Sequence, residues 1–510
     1  MPLLGQIIKQ GIYLRSRLKY DRYTPDKHQR SALRRLLQKA EHTAFGKQFD
    51  FKSILHSRNK VREFKQKVPV YNYQKIYDEW WHRSQAEEDN ICWPGRVNYF
   101  ALSSGTSETA SKHIPVTEDM IKAIKKTSIN QILSMAHYKL PSSIYEKGIL
   151  MLGGSTHLNR HGSYFEGDLS GISAAKIPFW FQQFYKPGRK IAKERDWETK
   201  LKEITRKAPN WDIGYIAGVP AWVQILMERI METYKLNSIH EMWPNLSIYV
   251  HGGVSIEPYR KGFEKVFSKP MIYVDTYLAS EGFIAYQDSP DARGMKMILN
   301  GSIFFEFVPF NETNFDSDGE INENPETLTI KDVEENVEYA LLLSTCAGAW
   351  RYLIGDVIKF VSKEKSEIII TGRTKSYLSL CGEHLSVDNM NKAIEMVAND
   401  FNITIKEYTV AGISYQGMFA HKWYIGTDAK PDMSKLKERL DFHLKQLNDD
   451  YGVERIAALK DIFIEIIPTH YFYDWHKQHH KEGGQNKFPR VMKNQRFTEW
   501  EQFIKDQAQH

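Results

Sequence analysis

Residues 98–117, NYFALSSGTSETASKHIPVT, decide how the chain is interpreted. The apolar run 99–102 is typical of the end of a buried strand, and the serines, threonines and glycine after it indicate a turn. A second strand is expected near His113. A turn with so many hydroxyl and N–H donors, ending at Lys112, can wrap an anion such as a polyphosphate. Composition alone favours an ordinary polar hairpin loop, and the standard phosphate-loop pattern is missing.

The composition indicates a folded protein in a reducing compartment. The chain has 510 residues, of which 42% are hydrophobic, enough for at least two hydrophobic cores. Its 69 basic and 63 acidic residues give a net charge of only +6, which disfavours a dedicated nucleic-acid binder. Cys92, Cys346 and Cys381 lack C-x-x-C spacing and cannot form a disulfide framework. We therefore predict a cytoplasmic protein without a nucleic-acid partner.

The sequence contains no stretch that approaches the roughly 20 apolar residues of a membrane span. The first helix is expected to be amphipathic, because Gln6, Lys9 and Gln10 interrupt its apolar run. We interpret it as part of the folded protein rather than a signal peptide, with a peripheral membrane role as the alternative. No integral membrane association is expected, and the chain is predicted to be a monomer or a weak homodimer.

The order of apolar runs predicts an α/β protein of two domains. Residues 1–90 are expected to be mostly helical, and the chain then alternates short strands, glycine turns and helices. That alternation is typical of a parallel sheet whose ligands lie beyond the carboxyl ends of the strands. We predict a large N-terminal domain with mixed and parallel sheets over residues 1–372. A smaller, mobile α+β domain is predicted over residues 373–510.

Four further segments carry residues suited to a nucleotide site. In YLASEGF, Glu281 follows a strand, where an exposed carboxylate can hold a magnesium ion that bridges phosphates. In WRYLIGDVIKF, Asp356 follows a glycine between two strand-like runs, from where it can accept ribose hydroxyls. GRTK, with Arg373 and Lys375, joins the domains, and GGQNKFPRVM places Lys487 in a glycine-flanked turn. Each segment alone is also an ordinary turn.

Together and in this order, the motifs resemble those of the Gretchen Hagen 3 acyl acid amido synthetases, a branch of the adenylate-forming superfamily. The resemblance runs from AFGK at Ala44 to NKFPRV near the end, with SSGTSETASKHIP, YLASEGF and RYLIGDV in family order. Plant members usually carry a second glycine in the first motif, where this chain has Glu108, Thr109 and Ala110, which is more similar to the microbial branch. Plant members tend to have a lysine at His384, so no role is carried over to it.

The resemblance implies a role for each motif residue. Glu281 is implied to be the magnesium-side acid, and Asp356 the ribose ligand. Lys487, Glu281 and Thr106 are the implied catalytic residues, while Arg373 and Lys375 are the implied hinge. The implied ATP-binding residues also include the turn against the adenine and are Ser103, Ser104, Gly105, Thr106, Ser107, Gly252, Gly253, Tyr277, Ser280, Glu281 and Asp356.

The resemblance also implies the reaction. With ATP and magnesium as cofactors, a carboxylic acid attacks the α-phosphate, which gives an acyl-AMP and pyrophosphate. The smaller domain then swings about the hinge and withdraws Lys487, and the amine of an amino acid attacks to give an amide and AMP. We therefore predict an enzyme, a ligase that forms carbon–nitrogen bonds, whose N-terminal domain binds ATP and the acyl substrate.

Several assignments stay open. The alternatives are an acyl-CoA or carrier-thiol ligase of the same superfamily, and a nucleotide-binding member without turnover. The acid pocket is predicted along GVPAWVQILMERI, lined by Val219, Trp222 and Val223, although a core helix shows the same apolar stripe. His157 and His251 are candidates for the general base of amide formation, and ordinary packed histidines fit equally.

Overall fold

The computed structural model describes most of the chain. The described residues are 3–17, 23–103, 112–174, 182–253, 256, 259–316, 319–374, 378, 383, 385–415, 418–448, 451–452, 455, 459–479 and 488–508. The hydroxyl-rich turn after Ser103, the hinge residue Lys375 and the late-motif residue Lys487 therefore lie outside the described residues.

Helices dominate the first 90 residues, as expected, and then alternate with strands. The α-helices are α1 Leu3–Arg17, α2 Pro25–Ala40, α3 Ala44–Gln48, α4 Phe51–His56, α5 Lys60–Lys67, α6 Tyr73–Ile76, α7 His82–Gln85, α8 Glu118–Ser134, α9 Leu169–Ala174, α10 Arg189–Ala192, α11 Trp197–Lys207, α12 Pro220–Tyr234, α13 Ile239–Met242, α14 Arg260–Val266, α15 Val387–Asp400, α16 Met433–Leu447, α17 His470–Gln478 and α18 Asn494–Ala508. Short 3₁₀ or π-helical turns occupy Tyr77–Trp81, Met135–Tyr138, Ser142–Glu146 and Ala208–Asn210.

The strands form three sheets. They are β1 Tyr99–Ser103, β2 Lys112–Val116, β3 Gly148–Leu152, β4 Asn159–His161, β5 Tyr164–Gly167, β6 Tyr185–Lys186, β7 Ile213–Gly218, β8 Ile248–Gly252, β9 Ile272–Ala279, β10 Gly282–Tyr286, β11 Met295–Met297, β12 Ile303–Pro309, β13 Glu338–Thr345, β14 Tyr352–Ser362, β15 Glu367–Arg373, β16 Glu407–Tyr415, β17 Met418–Gly426, β18 Leu459–Ile467 and β19 Val491–Met492. The largest sheet has 11 strands in the order β12-β13-β14-β15-β11-β10-β9-β8-β7-β3-β6.

One half of this large sheet is parallel and the other antiparallel. Strands β6, β3, β7, β8 and β9 run parallel, with α11, α12 and α14 in the crossovers. From β9 to β12 every pairing is antiparallel. The expected mixed α/β architecture is confirmed. Because α12 begins at Pro220, two residues after β7 ends, its first turn lies at the carboxyl end of that strand.

The N-terminal helices cover the antiparallel edge of the sheet. Gln29 of α2 is buried, donates to the carbonyls of Leu299 and Ile303, and accepts from the N–H of Phe305 in β12. These bonds satisfy backbone groups at the end of the sheet, where an edge strand would otherwise expose them. Trp350, which is 0% exposed, packs against several aromatic rings of these helices, including Phe45 and Phe51.

The C-terminal part is a separate α+β unit around the sheet β18-β17-β16-β19. Alternate residues of β17 face opposite cores, because side chains alternate along a strand. Trp423 belongs to the core that contains α15 and α16, and Tyr424 belongs to the core that contains α17 and α18. The predicted boundary between residues 372 and 373 falls at the last residue of β15 and stays a prediction. In the described parts of the chain, no helix has both the length and the apolarity required to cross a bilayer.

Candidate active site

A bulge in β14 carries Asp356. In the pairing with β13, Ala340 lies opposite Val357 and Leu342 opposite Leu353, so residues 354–356 lie opposite residue 341 alone. Gly355 adopts a φ of 87° in this bulge, a conformation that glycine reaches without a Cβ clash. The two strand-like runs on either side of Gly355 form one strand. Asp356 lies inside one continuous strand because the bulge accommodates the glycine.

Both oxygens of the Asp356 carboxylate have partners. The Tyr277 hydroxyl of β9 donates to Oδ2, and Arg373 Nε of β15 lies 3.1 Å from Oδ1. Arg373 also donates to the carbonyl of Ile354, 3.2 Å away. Asp356 raises the pKa of Arg373 above its usual value, against the opposing effect of burial. Burial and then Asp356 raise the pKa of Tyr277 well above its usual value. The phenol and the guanidinium therefore hold the carboxylate in one orientation.

Glu281 lies in the tight turn between β9 and β10, where Ala279 pairs with Gly282. Sequence reasoning expected an exposed carboxylate, but the side chain is only 7% exposed because the flanking strands enclose it. Burial raises the pKa of Glu281 to about 7, and the negative charge of Asp356 adds to the rise. Near neutral pH this carboxyl is poised between its neutral and charged forms, and a bound cation would favour the charged form.

The ends of the hydroxyl-rich turn lie at this cluster. Ser103 of β1 pairs with Lys112 of β2, so the turn starts and ends at one rung of a hairpin. The Lys112 ammonium lies 5.3 Å from the centroid of the Tyr73 ring. Burial has the largest effect on the pKa of Glu281 and raises it, whereas the positive charge of Lys112 lowers it. The predicted residues Ser104, Gly105, Thr106 and Ser107 are outside the described residues.

The predicted adenine-side turn begins at the carboxyl end of β8. A Cβ on Gly252 would lie 2.3 Å from the Thr276 carbonyl of β9, so only glycine fits the close strand approach. Gly253 follows with a φ of 87°, and Ser280 lies half-buried between β9 and β10. Gly252, Gly253 and Ser280 therefore lie at the carboxyl ends of β8 and β9, at the same edge of the sheet as Glu281.

The two histidines proposed as general bases have different surroundings. His251 is 4% exposed, and burial, followed by the positive charge of Arg260, lowers its pKa to about 4. It is therefore neutral at pH 7, and its protonated form is too acidic to retain a proton taken from an ammonium group. His157 is exposed in the segment after β3. Among the described residues, no hydrogen-bond partner is seen for the His157 imidazole, so the base stays open.

The predicted acid-pocket residues lie at the start of α12. Val219 is half-buried at the N-cap, and Val223 is 0% exposed inside the core that α12 forms with the sheet. Trp222 contacts Trp197 of α11 at 4.7 Å between ring centroids, and Tyr473 of α17 at 6.4 Å. A helix of the C-terminal unit thus lies beside the predicted pocket. Among these three residues, Trp222 is the one with a contact to that helix.

Sequence reasoning assigned Arg373 only to the hinge, and the structure adds its pairing with Asp356. The two residues are direct cross-strand neighbours in the β14–β15 register. Nothing local in the sequence could reveal this pair, because the register depends on the bulges in β14. Sequence reasoning also assigned no role to Tyr259, Glu407 and Arg490, which are buried together between the two units.

Family models match most of the chain. The GH3 family N-terminal domain matches residues 15–200 and 156–272, the central domain matches 296–369 and the C-terminal domain matches 388–496. An indole-3-acetic acid-amido synthetase of Arabidopsis thaliana, GH3.4, is 21% identical over 443 residues, 73% of this chain and 71% of that protein. A second one from the same plant, GH3.2, is 22% identical and covers 76% of this chain and 81% of its own length.

Solved structures show the same fold. The GH3.15 acyl acid amido synthetase has a TM-score of 0.77 at 15% identity, covering 98% of this chain and 96% of that chain. A 2-hydroxyisobutyryl-CoA ligase has a TM-score of 0.59 at 12% identity, covering 94% and 90%. The predicted fold is confirmed, and the predicted enzyme class, a ligase that forms carbon–nitrogen bonds, agrees with the amido synthetases that the chain matches. The chain belongs to the GH3 family.

Proposed function

We propose that the protein uses ATP and magnesium to convert a carboxylic acid into an acyl-AMP, and then transfers the acyl group to the amine of an amino acid. The observation that carries this proposal is the cluster of Glu281, Asp356, Tyr277 and Arg373 beside the two ends of the hydroxyl-rich turn. A nucleoside triphosphate needs acceptors for its ribose, donors for its phosphates and a carboxylate for its metal ion. Asp356 and Glu281 supply the carboxylates, and Ser103 and Lys112 mark where the donor-rich turn begins and ends.

Asp356 is the proposed ribose ligand. A carboxylate has about four lone-pair positions, so Asp356 can accept ribose hydroxyls while it still accepts from Tyr277 and Arg373. The two protein donors orient the carboxylate before the nucleotide arrives, which reduces the entropy lost on binding. Arg373 therefore supports nucleotide binding in addition to its proposed place in the hinge with Lys375.

Glu281 is the proposed magnesium ligand, with the phosphates of ATP supplying further oxygens. The residues fit this role, because Glu281 is buried near Asp356 and burial raises its pKa to about 7. A bound cation would therefore stabilise the charged form of the carboxylate, which burial disfavours. Within the described residues no three His, Cys, Asp or Glu side chains form a metal cluster on their own. A metal ion bound by Glu281 and the nucleotide together fits that arrangement.

The proposed transition state places new charge on phosphate oxygens. The hydroxyl-rich turn, including Thr106, and Lys487 are proposed to stabilise this charge. For the second step, the C-terminal unit is proposed to move about Arg373 and Lys375, which takes Lys487 away and admits the amine. Trp222 and Val219 are proposed to line the acid site, with Val223 supporting them from the core.

We also propose a cytoplasmic location and a monomeric or weakly dimeric state. The support for the location is that Cys92 and Cys346 are free and buried, with the pKa of each raised by burial, to about 12 for Cys346. Buried thiols with a raised pKa are poor nucleophiles, so these two residues have no proposed catalytic role.

The test is ATP-dependent pyrophosphate release over a panel of aryl, fatty and keto acids, with and without a mixture of amino acids. Lys487→Ala is expected to suppress release while ATP binding is retained. Lys435→Ala is the matched control, because Lys435 is an exposed lysine of the same unit with a side chain 74% exposed. It is expected to behave as the unchanged protein.

The products distinguish the possibilities. Release that requires one acid, with an amide only when amino acids are present, supports the proposal and names the acid. Release with an acid but transfer only to coenzyme A would identify a thiol acceptor instead. ATP binding without release across the whole panel would contradict turnover, and near-normal release by Lys487→Ala would remove the role given to that lysine.

A further inference from the structure

Three buried residues connect the two units. The Tyr259 hydroxyl, at the start of α14, donates to Glu407 Oε1 at 2.8 Å. Arg490 Nη1 donates to the other oxygen, Glu407 Oε2, at 2.6 Å. The exposed fractions are 3% for the whole Tyr259 residue and 4% and 11% for the Glu407 and Arg490 side chains. Tyr259 comes from the large unit, whereas Glu407 and Arg490 come from the C-terminal unit.

Each end of this contact adjoins a proposed reaction motif. Tyr259 is the last residue but one of the HGGVSIEPYR segment, which contains the adenine-side glycines. Arg490 lies three positions after Lys487 in NKFPRV. The backbone between them is held to β16, because Thr409 Oγ1 donates to the Pro489 carbonyl at 2.8 Å and Val410 N to the Arg490 carbonyl at 2.9 Å. Glu407 is the first residue of that same strand.

Neighbouring contacts show that this face is an interface between the units. Lys261 Nζ donates to the Ala398 carbonyl at the end of α15, at 3.1 Å. Lys406 Nζ lies 3.4 Å from Glu228 Oε1 of α12. Both of these contacts use long, flexible lysines at the margin, whereas the Tyr259–Glu407 bond lies in the buried centre.

We propose that Tyr259 is a positioning residue for acyl-AMP formation: its hydroxyl holds Glu407 and, through Arg490 and β16, places the segment that carries Lys487. This inference rests on the proposed function and deepens it. In the docked arrangement, the hydroxyl bond from Tyr259 to Glu407 links the adenine-side segment to β16, the strand that holds residues 489 and 490. Movement of the C-terminal unit for amide formation requires that bond to break.

This arrangement keeps the free-energy cost of that movement low. When the units separate, Glu407 leaves together with Arg490, so no buried charge loses its ionic partner. At the buried centre, the neutral hydroxyl of Tyr259 exchanges Glu407 for water, which costs much less than breaking a buried ion pair. The Lys406–Glu228 pair also separates, but it is partly exposed and contributes little. The same residues linked by a salt bridge across the interface would hold the docked arrangement far more strongly.

Tyr259→Phe removes the hydroxyl and keeps the ring, and Tyr234→Phe is the matched control, because its hydroxyl donates at 3.2 Å to Thr205 within the large unit alone. For Tyr259→Phe we expect acid-dependent exchange of pyrophosphate into ATP to fall about tenfold in kcat, as expected for loss of one hydrogen bond to a charged group. The KM for ATP should be unchanged. Conversion of a chemically made acyl-AMP to amide should be unchanged or faster.

A second variant separates positioning from a general structural defect. In a Lys487→Ala background, Tyr259→Phe should cause no further loss of exchange, because the hydroxyl acts through the lysine. Additive losses, or equal losses in both half-reactions, would overturn the proposal, and so would unchanged exchange in Tyr259→Phe.

Small-angle X-ray scattering tests the contact independently of turnover. Tyr259→Phe should increase the fraction of molecules with separated units, while Tyr234→Phe should not. An unchanged scattering profile would contradict the role of the hydroxyl in docking. Absence of acid-dependent exchange in the unchanged protein would instead contradict the proposed function, and the scattering comparison would still decide the contact.

Discussion

Two buried charged clusters in the same large sheet differ in how completely their groups are paired. Beside β12 and β14, Arg351 binds both oxygens of Glu306, with side chains 6% and 1% exposed. Its remaining donors reach the carbonyls of Lys65 and Val68 and the hydroxyl of Thr327. This cluster is closed, and it joins the N-terminal helices to the sheet.

The cluster of Glu281 and Asp356 is open by comparison. Asp356 has two protein donors, but Glu281 lies near it with no side-chain donor bonded to it among the described residues. Burial raises its pKa to about 7, although its own backbone N–H, Lys112 and Arg373 act in the opposite direction. A buried ion pair whose hydrogen bonds are all made within the protein acts as a structural element. A buried acid at the ends of strands whose acceptor positions are not filled by side-chain donors can instead bind a cation and a nucleotide.

Removal of Arg351 should have the largest effect. Arg351→Ala leaves Glu306 charged and buried without its partner, and the free energy of unfolding should fall by about 3–5 kcal/mol. Equilibrium urea denaturation measures the change. Arg83→Ala, at an exposed pair with Glu88, should cost less than about 1 kcal/mol. A loss at Arg351 as small as the loss at Arg83 would show that the closed cluster is not structural.

Neutralisation of Glu281 should affect catalysis and leave stability intact. Glu281→Gln removes the proposed metal ligand, so acid-dependent pyrophosphate exchange should fall by about 100-fold or more. The free energy of unfolding at pH 7.5 should not decrease, because burial disfavours the charged form of the carboxyl that the substitution removes. Glu367→Gln is the control, since that side chain is equally buried but bonds the N–H of Arg293. Equal losses of exchange in both variants would contradict a metal role.

The pH dependence of stability should also identify Glu281. Its pKa rises from 4.5 in the unfolded chain to about 7 in the folded protein, so the folded state binds the extra proton between these values. Its contribution to the unfolding free energy therefore falls as the pH rises through that range, by about 3 kcal/mol. Urea denaturation of the unchanged protein and Glu281→Gln, at pH 4.5 and pH 7.5 without nucleotide or magnesium, isolates the difference. A difference that grows in the opposite direction would refute the raised pKa.

The smallest effect is expected for Asp356→Asn. The amide keeps one acceptor oxygen and the shape of the bulge, but it weakens the bonds to ribose and Arg373, so ATP affinity should fall about tenfold. Calorimetric titration with ATP measures the change. Asp332→Asn is the control, because that carboxylate bonds Thr329 outside the site. Equal affinity for ATP in Asp356→Asn and the unchanged protein would remove the ribose role.

The sequence predicted the groups of the site better than their surroundings. Glu281 and Arg373 could be named because each follows or ends a recognisable strand, and Asp356 because it follows a glycine between two strand-like runs. The burial of Glu281 could not be predicted, because it depends on strands that are distant in the chain. The role of Arg373 beside Asp356 was missed for the same reason, since a cross-strand register has no local signal.

By itself, the sequence determined the α/β architecture, the order of the motifs and the family, because periodic apolar runs and glycine turns are local patterns. Only the tertiary structure decided which carboxylate is paired, which is left open, and that Tyr259 meets Glu407 across the interface. The physical reason is that the burial of a residue and its electrostatic partners depend on the three-dimensional arrangement of the chain. Residues that are far apart in the chain come to share one low-dielectric region, and their pKa values and contacts follow from that proximity.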